Sequence, residues 1–193
     1  MSRRPPARTV LTGVLLAWAV GAAAQPISVA GLQRLLQDTP KRERRFHEAR
    51  ESLWLAAPVE SSGSMTASAH VLEKKVEQPR RETWRILPDR LQRVVPGDAP
   101  TKELLFSDAP AVAPLANAMR LVMAGDLKGL EPDFKLVPGG DERLWTLQLT
   151  PRRQDIARFL KQLDLQGTGA QLQVIVILES QGDRTTIRLS SEP

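Results

Sequence analysis

The sequence predicts an α+β protein: a curved antiparallel sheet of about 11 strands with helices over its concave face. Three observations predict it. Short segments of strand character follow one another in quick succession, and connections of roughly two to six residues force neighbouring strands to be antiparallel. The connections carry turn chemistry, as in Gln78-Pro79, Pro88-Asp89, Pro96-Gly97-Asp98, Pro138-Gly139-Gly140-Asp141 and Gln181-Gly182-Asp183. One amphipathic helical stretch in mid-chain interrupts the strands.

In chain order, residues 26–39 read as a short helix. Val29, Leu32, Leu35 and Leu36 recur at helical spacing, Ser28 is placed as N-cap and Pro40 follows the end. From Lys41 the period changes, and residues 41–55, with Phe46, Leu53, Trp54 and Leu55 among alternating charges, read as one long strand with a wet face. Ala57-Pro58 turns the chain into a return strand, 59–65. Strands 71–77, 82–87, 90–95 and 102–106 follow. Residues 110–125 then bring Leu115, Met119 and Val122 to one helical face, with Gly125 as C-cap, and a shorter turn covers 126–130. Strands resume over 134–137, 143–149, 158–166, 172–178 and 185–189.

Composition bounds the chemistry. The 193 residues include no cysteine, which excludes disulfides, cysteine-ligated metals and thiol nucleophiles, and His47 and His70 are too few for a multi-histidine metal site. The formal charge of +5 points toward nucleic acid only if the whole chain matures intact. Residues 1–24 read instead as a cleavable signal peptide: Arg3, Arg4 and Arg8, an uncharged run over 10–20, then Ala22-Ala23-Ala24. That run is too short to span a bilayer. Without it, 24 basic residues face 22 acidic ones, a net of +2, so no nucleic-acid partner is expected. Residues 25–193 then form a single exported domain, expected in the periplasm as a monomer with no cofactor.

Few polar constellations stand out. His47-Glu48 is a histidine–carboxylate neighbour pair, but adjacent strand residues face opposite sides of a sheet. Ser61, Ser62 and Ser64 flank Gly63 without forming a nucleophile elbow, and read as a turn. Gly167-Thr168-Gly169 lacks the lysine and helix of a phosphate loop and reads as a hairpin. The basic residues Lys41, Arg42, Arg44, Arg45, Lys74, Lys75, Arg80 and Arg81 read as a solvated face, suited if functional to anionic headgroups or an acidic protein. The apolar residues are more informative. Met65, Trp84, Ile86, Met119, Met123, Trp145 and Leu147 form either ordinary core or an adaptable pocket for a flexible chain.

Several strings also resemble one family. Phe46-His47-Glu48-Ala49-Arg50, the run from Ala57 to Met65, the run from Met119 to Leu127, Phe134, the run from Trp145 to Pro151, and Gly182-Asp183-Arg184 together are similar to a divergent branch of the outer-membrane lipoprotein carrier (LolA) family. The resemblance spans essentially all of residues 25–193. It implies an incomplete, unclosed antiparallel β-barrel under a helical lid, with an apolar cavity and no catalysis. It also implies the acyl chains of a lipoprotein or glycolipid as cargo, received from an inner-membrane transporter and passed to an outer-membrane acceptor. On that basis the cavity is expected to be lined by Phe46, Trp54, Met65, Leu72, Trp84, Ile86, Phe106, Leu115, Met119, Val122, Trp145, Leu147, Val174 and Val176. The family's lid-latching arginine, which precedes a proline, has no counterpart in Thr66-Ala67-Ser68-Ala69-His70-Val71-Leu72.

Two other readings compete. One is a periplasmic adaptor of related half-barrel fold that binds a partner protein through Lys74 and Lys75; the other is a hydrolase using His47 or His70 with a carboxylate.

Overall fold

A computed structural model describes residues 25–37, 43–68, 70–97 and 100–190. The expected signal peptide, the helix stop at Pro40, the cations Lys41 and Arg42, and Asp98 of the expected turn lie outside the described residues.

The chain forms helix α1 (Val29–Gln37) and strands β1 (Arg44–Glu51), β2 (Val59–Ala67), β3 (Leu72–Gln78), β4 (Glu82–Ile86), β5 (Arg90–Val94) and β6 (Lys102–Leu105). Helix α2 (Ala113–Ala124) and a 3-10 turn (Lys128–Leu130) lead into β7 (Phe134–Gly140) and β8 (Trp145–Pro151). A short α3 (Gln154–Ala157) precedes β9 (Leu160–Thr168), β10 (Gln171–Glu179) and β11 (Arg184–Ser190). The eleven strands of the described residues join one antiparallel sheet in the order β6-β5-β4-β3-β2-β1-β11-β10-β9-β8-β7. It is therefore two meanders joined at a β1–β11 seam. The sheet is open, with β6 and β7 as its edges, and the connection through α2 carries the chain from one edge to the other.

Period-two alternation sets the faces. In β8, Trp145, Leu147 and Leu149 are fully buried while Thr146 and Gln148 point out. Their partners across the sheet repeat the pattern, with Leu147 opposite Leu165 and Leu149 opposite Leu163. Each side chain so buried contributes about 1.5–3 kcal/mol. The edges are protected in different ways: β6 is only four residues long with Lys102 and Glu103, and β7 carries Pro138.

Both longer helices end as their sequences dictate. Ser28 Oγ accepts from Gly31 N at 3.0 Å and caps α1, as expected. Gly125 closes α2 with φ 73°, also as expected, and a Cβ there would lie 3.2 Å from the Leu36 carbonyl of α1. Gln33 Oε1 accepts from Lys128 N at 2.7 Å, so α1 holds the α2–β7 connection.

Three expectations need correction. The strand expected over 41–55 ends at Glu51, because Ser52 starts a turn in which Leu55 N donates to Ser52 O at 3.1 Å. The serines around Gly63 lie inside β2 rather than in a turn. Gly63 is there because a register shift brings the Lys75 carbonyl within 1.9 Å of where a Cβ would sit. The strand expected over 158–166 begins at Leu160, since α3 and its exit through Arg158 occupy the preceding residues.

Candidate functional site

α2 lies across the concave side of β2, β3 and β4 and encloses a cavity of about 490 Å³. Its floor comes from alternating inward positions: Met65, Leu72, Trp84, Ile86 and Leu91 on one meander, and Ile177 and Ile187 on the other. Pro114, Leu115 and Met119 of α2 form the roof, with Ala111 and Val112 just before it. Ile156 and Phe159 line one end, and Phe159, 49% exposed, brings that end to the surface as the cavity's mouth. The size suits a small-molecule or single-chain site.

Glu48, Lys74 and Glu179 enter this apolar space, and a second charged cluster lies beside it. Lys74 Nζ donates to Glu48 Oε2 at 2.7 Å and stands 4.8 Å from the Phe46 ring centroid. On the next strands, Trp84 Nε1 donates to Glu82 Oε1 at 2.8 Å, and Arg93 Nε donates to Glu82 Oε2 at 2.8 Å. The Arg93 guanidinium lies 5.3 Å from the Trp84 ring centroid. Burial pushes the Glu82 carboxyl up, but the hydrogen bonds from Trp84 and Arg93 and the charges of Arg93 and Lys74 outweigh it, so the group titrates below its ordinary range.

The structure brings Met65, Leu72, Trp84, Ile86, Leu115 and Met119 together as cavity wall. Phe46, Val122, Trp145 and Leu147 are buried in the core cluster, and Phe106 is buried beside the β4–β5 turn, where its N donates to Asp89 O at 2.9 Å. Trp54 stands in the β1–β2 turn, 89% exposed, because β1 stops before it. Val174 and Val176 fall on the convex face, paired with Arg188 and Thr186, and their neighbours Ile175 and Ile177 take the inward positions. The apolar run Val174-Ile175-Val176-Ile177-Leu178 has no polar residue to mark its phase, so only the register with β9 and β11 fixes it. Phe159, Ile156 and Leu91 were missed; an isolated apolar residue beside a turn carries no periodic signal.

The polar constellations separate. His47 points to the convex face, where its Nε2 is 3.7 Å from Glu60, while Glu48 enters the cavity. His70 is exposed in the β2–β3 turn. Lys74 and Lys75 also diverge: Lys74 meets Glu48 inside, and Lys75 Nζ lies 3.3 Å from Glu73 on the other face. They form no common basic surface.

A family model described as "Outer membrane lipoprotein carrier protein LolA-like" matches residues 21–191. The chain belongs to this LolA-like family. Solved structures similar to it include a LolA superfamily protein from Nitrosomonas europaea, with 12% identity, 84% of this chain and 90% of that chain covered, and a TM-score of 0.44. A putative outer membrane lipoprotein-sorting protein domain from Vibrio parahaemolyticus shows 7% identity, 84% and 89% coverage and a TM-score of 0.44. A DUF1329 family protein from Desulfovibrio piger shows 8% identity, 84% and 88% coverage and a TM-score of 0.41. No curated protein matches the sequence. In this LolA-like chain, the described residues of the stretch where the resemblance implies a latch arginine flank the β2–β3 turn, with Ser68 N donating to Val71 O at 2.8 Å. On the lid itself, Asn117 Nδ2 of α2 donates to Pro88 O of the β4–β5 turn at 3.5 Å.

Proposed function

We propose that this LolA-like protein is a non-catalytic carrier that shields the acyl chains of a lipoprotein, or of another acylated lipid, in the cavity beneath α2. It works as a monomer in the periplasm, after export directed by residues 1–24, between an inner-membrane donor and an outer-membrane acceptor. The observation that carries this reading is the cavity itself, about 490 Å³ with an apolar floor and roof and a mouth at Phe159.

Each buried methylene gains about 0.8 kcal/mol, so one acyl chain represents on the order of 10 kcal/mol gross. A carrier must shield that surface in water and still release it. Met65 and Met119 give the wall unbranched side chains that repack around a flexible ligand. The Lys74–Glu48 pair supplies a polar anchor beside them for the cargo's polar end.

The test is native mass spectrometry of the protein released from a periplasm without detergent, followed by extraction of whatever is bound. A co-purifying lipoprotein, fatty acyl species or glycolipid supports the carrier reading and names the cargo. An empty protein that also excludes an apolar dye overturns it.

A further inference from the structure

The β1–β2 turn exposes apolar surface that the cavity does not account for. Leu53 is 84% exposed, Trp54 89% and Leu55 43%, and Val59 at the start of β2 is 52% exposed. The tip is held in place. Trp54 N donates to Ser52 Oγ at 3.4 Å and Leu55 N to Ser52 O at 3.1 Å. At its base Arg50 Nη2 donates to Asp183 Oδ2 at 2.9 Å and to Glu179 Oε1 at 3.4 Å.

The tip shares one rim of the sheet with the cavity mouth. Leu53 Cδ1 lies 3.7 Å from the Cβ position of Gly182 in the β10–β11 turn. In the same turn, Ser180 N donates to Phe159 O at 3.0 Å. The β3–β4 turn ends at this rim too, with Gln78 opposite Ser62, and it presents the exposed pair Arg80-Arg81.

We propose that the β1–β2 tip is a membrane-docking element that seats the protein on an anionic lipid bilayer, with Trp54 at headgroup depth and Arg80 and Arg81 on the phosphates. Tryptophan is the side chain best suited to that depth, because its ring is apolar and its N–H is not. A cationic pair beside an apolar anchor gives the second attraction that stable interfacial binding needs. A bilayer matches both features. In this pose the Phe159 mouth sits on the side of the molecule that meets the lipid.

The test uses the protein from residue 25 on, which contains every strand and helix of the described residues, with vesicles of phosphatidylethanolamine and phosphatidylglycerol. Co-sedimentation and quenching by lipids brominated near the headgroup are expected, with the blue shift of emission read in a Trp84→Phe background, since Trp145 is fully buried but Trp84 is half-buried in the cavity wall. Trp54→Ser should weaken partitioning by about tenfold or more. Arg80→Ala/Arg81→Ala should weaken it on anionic vesicles and leave the weak binding to neutral phosphatidylcholine unchanged. Apolar-dye uptake into the cavity should persist in both variants, which shows that they fold and separates this proposal from the carrier reading. Absence of vesicle binding, or binding that survives Trp54→Ser unchanged, overturns the proposal. So does a Trp54-dependent self-association without lipid binding, which would make a second copy the occupant.

Discussion

Lys74 reaches past the intervening strand β2 to donate to Glu48 at 2.7 Å, inside a cavity whose other lining is apolar apart from Glu179. Their side chains are 19% and 21% exposed, and Ser61 Oγ adds a 3.4 Å bond to Glu48. Each charge therefore depends on the other for most of its solvation. Lys74→Met should destabilise the fold by about 1–3 kcal/mol by leaving a half-buried carboxylate unpaired. Lys74→Met/Glu48→Leu should recover most of that loss, because it removes both charges. Urea unfolding of the two variants measures the difference, and equal losses in both would show that the pair is not coupled.

Met119 projects from α2 into the cavity and is 7% exposed. Met119→Asp should abolish uptake of an apolar dye while the far-ultraviolet circular dichroism of the sheet is retained, since a lone carboxylate in the roof costs several kcal/mol to desolvate. Fluorescence titration gives the readout. Full uptake by a folded variant would move the binding site elsewhere.

Trp145 fills the space beside Gly167. A Cβ at Gly167 would stand 2.2 Å from Trp145 Cζ2 and 2.3 Å from the Gln171 carbonyl, while the indole N–H donates to Gly169 O at 2.8 Å. Gly167→Ala should cost about 1–3 kcal/mol or more, because both obstacles belong to the packed β8–β10 core. Thermal unfolding of the variant checks it, and an unchanged midpoint would mean the β9–β10 hairpin shifts freely.

The Glu82 cluster makes stability acid-sensitive in a defined direction. Its carboxyl is held below the ordinary value of 4.5 when folded, so its contribution is present above that value and is lost as pH falls through the lowered folded one. Chemical denaturation between neutral pH and about pH 3 should show a decline that is shallower in Glu82→Gln. Parallel profiles would assign the decline to other carboxylates, with Glu73 the next to examine, since the hydrogen bond from Arg85 holds it low despite burial.

Much of the fold was legible because it is locally written. Proline and glycine turns delimit the strands, and Gly125 ends α2 where its left-handed φ requires. The inward residues of β2, β3 and β4 stood out because polar neighbours mark their phase: Leu72 is followed by Glu73, and Trp84 by Arg85. β10 has no such marker, so Val174 and Val176 were assigned to the face that Ile175 and Ile177 occupy. Trp54 was placed with the apolar wall because strand length is set by pairing, which ends at Glu51 opposite Arg184. The basic stretch misled for a related reason. Lys74 and Lys75 look like one patch in the sequence, yet alternation sends one to Glu48 and the other to Glu73. The placement of α2 across β2, β3 and β4 depends on strands far from it in the chain, and no local string encodes it.

The seam between β1 and β11 pairs Arg45 with Ser190 and Glu51 with Arg184, so the centre of the sheet is made from the first and last strands of the described residues. This pairing cannot form without β11, the last strand in chain order. Without it the meanders have four free edges between them instead of two, counting β1 and β10 alongside β6 and β7. A chain cut short before Arg184 would keep all four and should aggregate, whereas one that includes Ser190 leaves only β6 and β7 as edges.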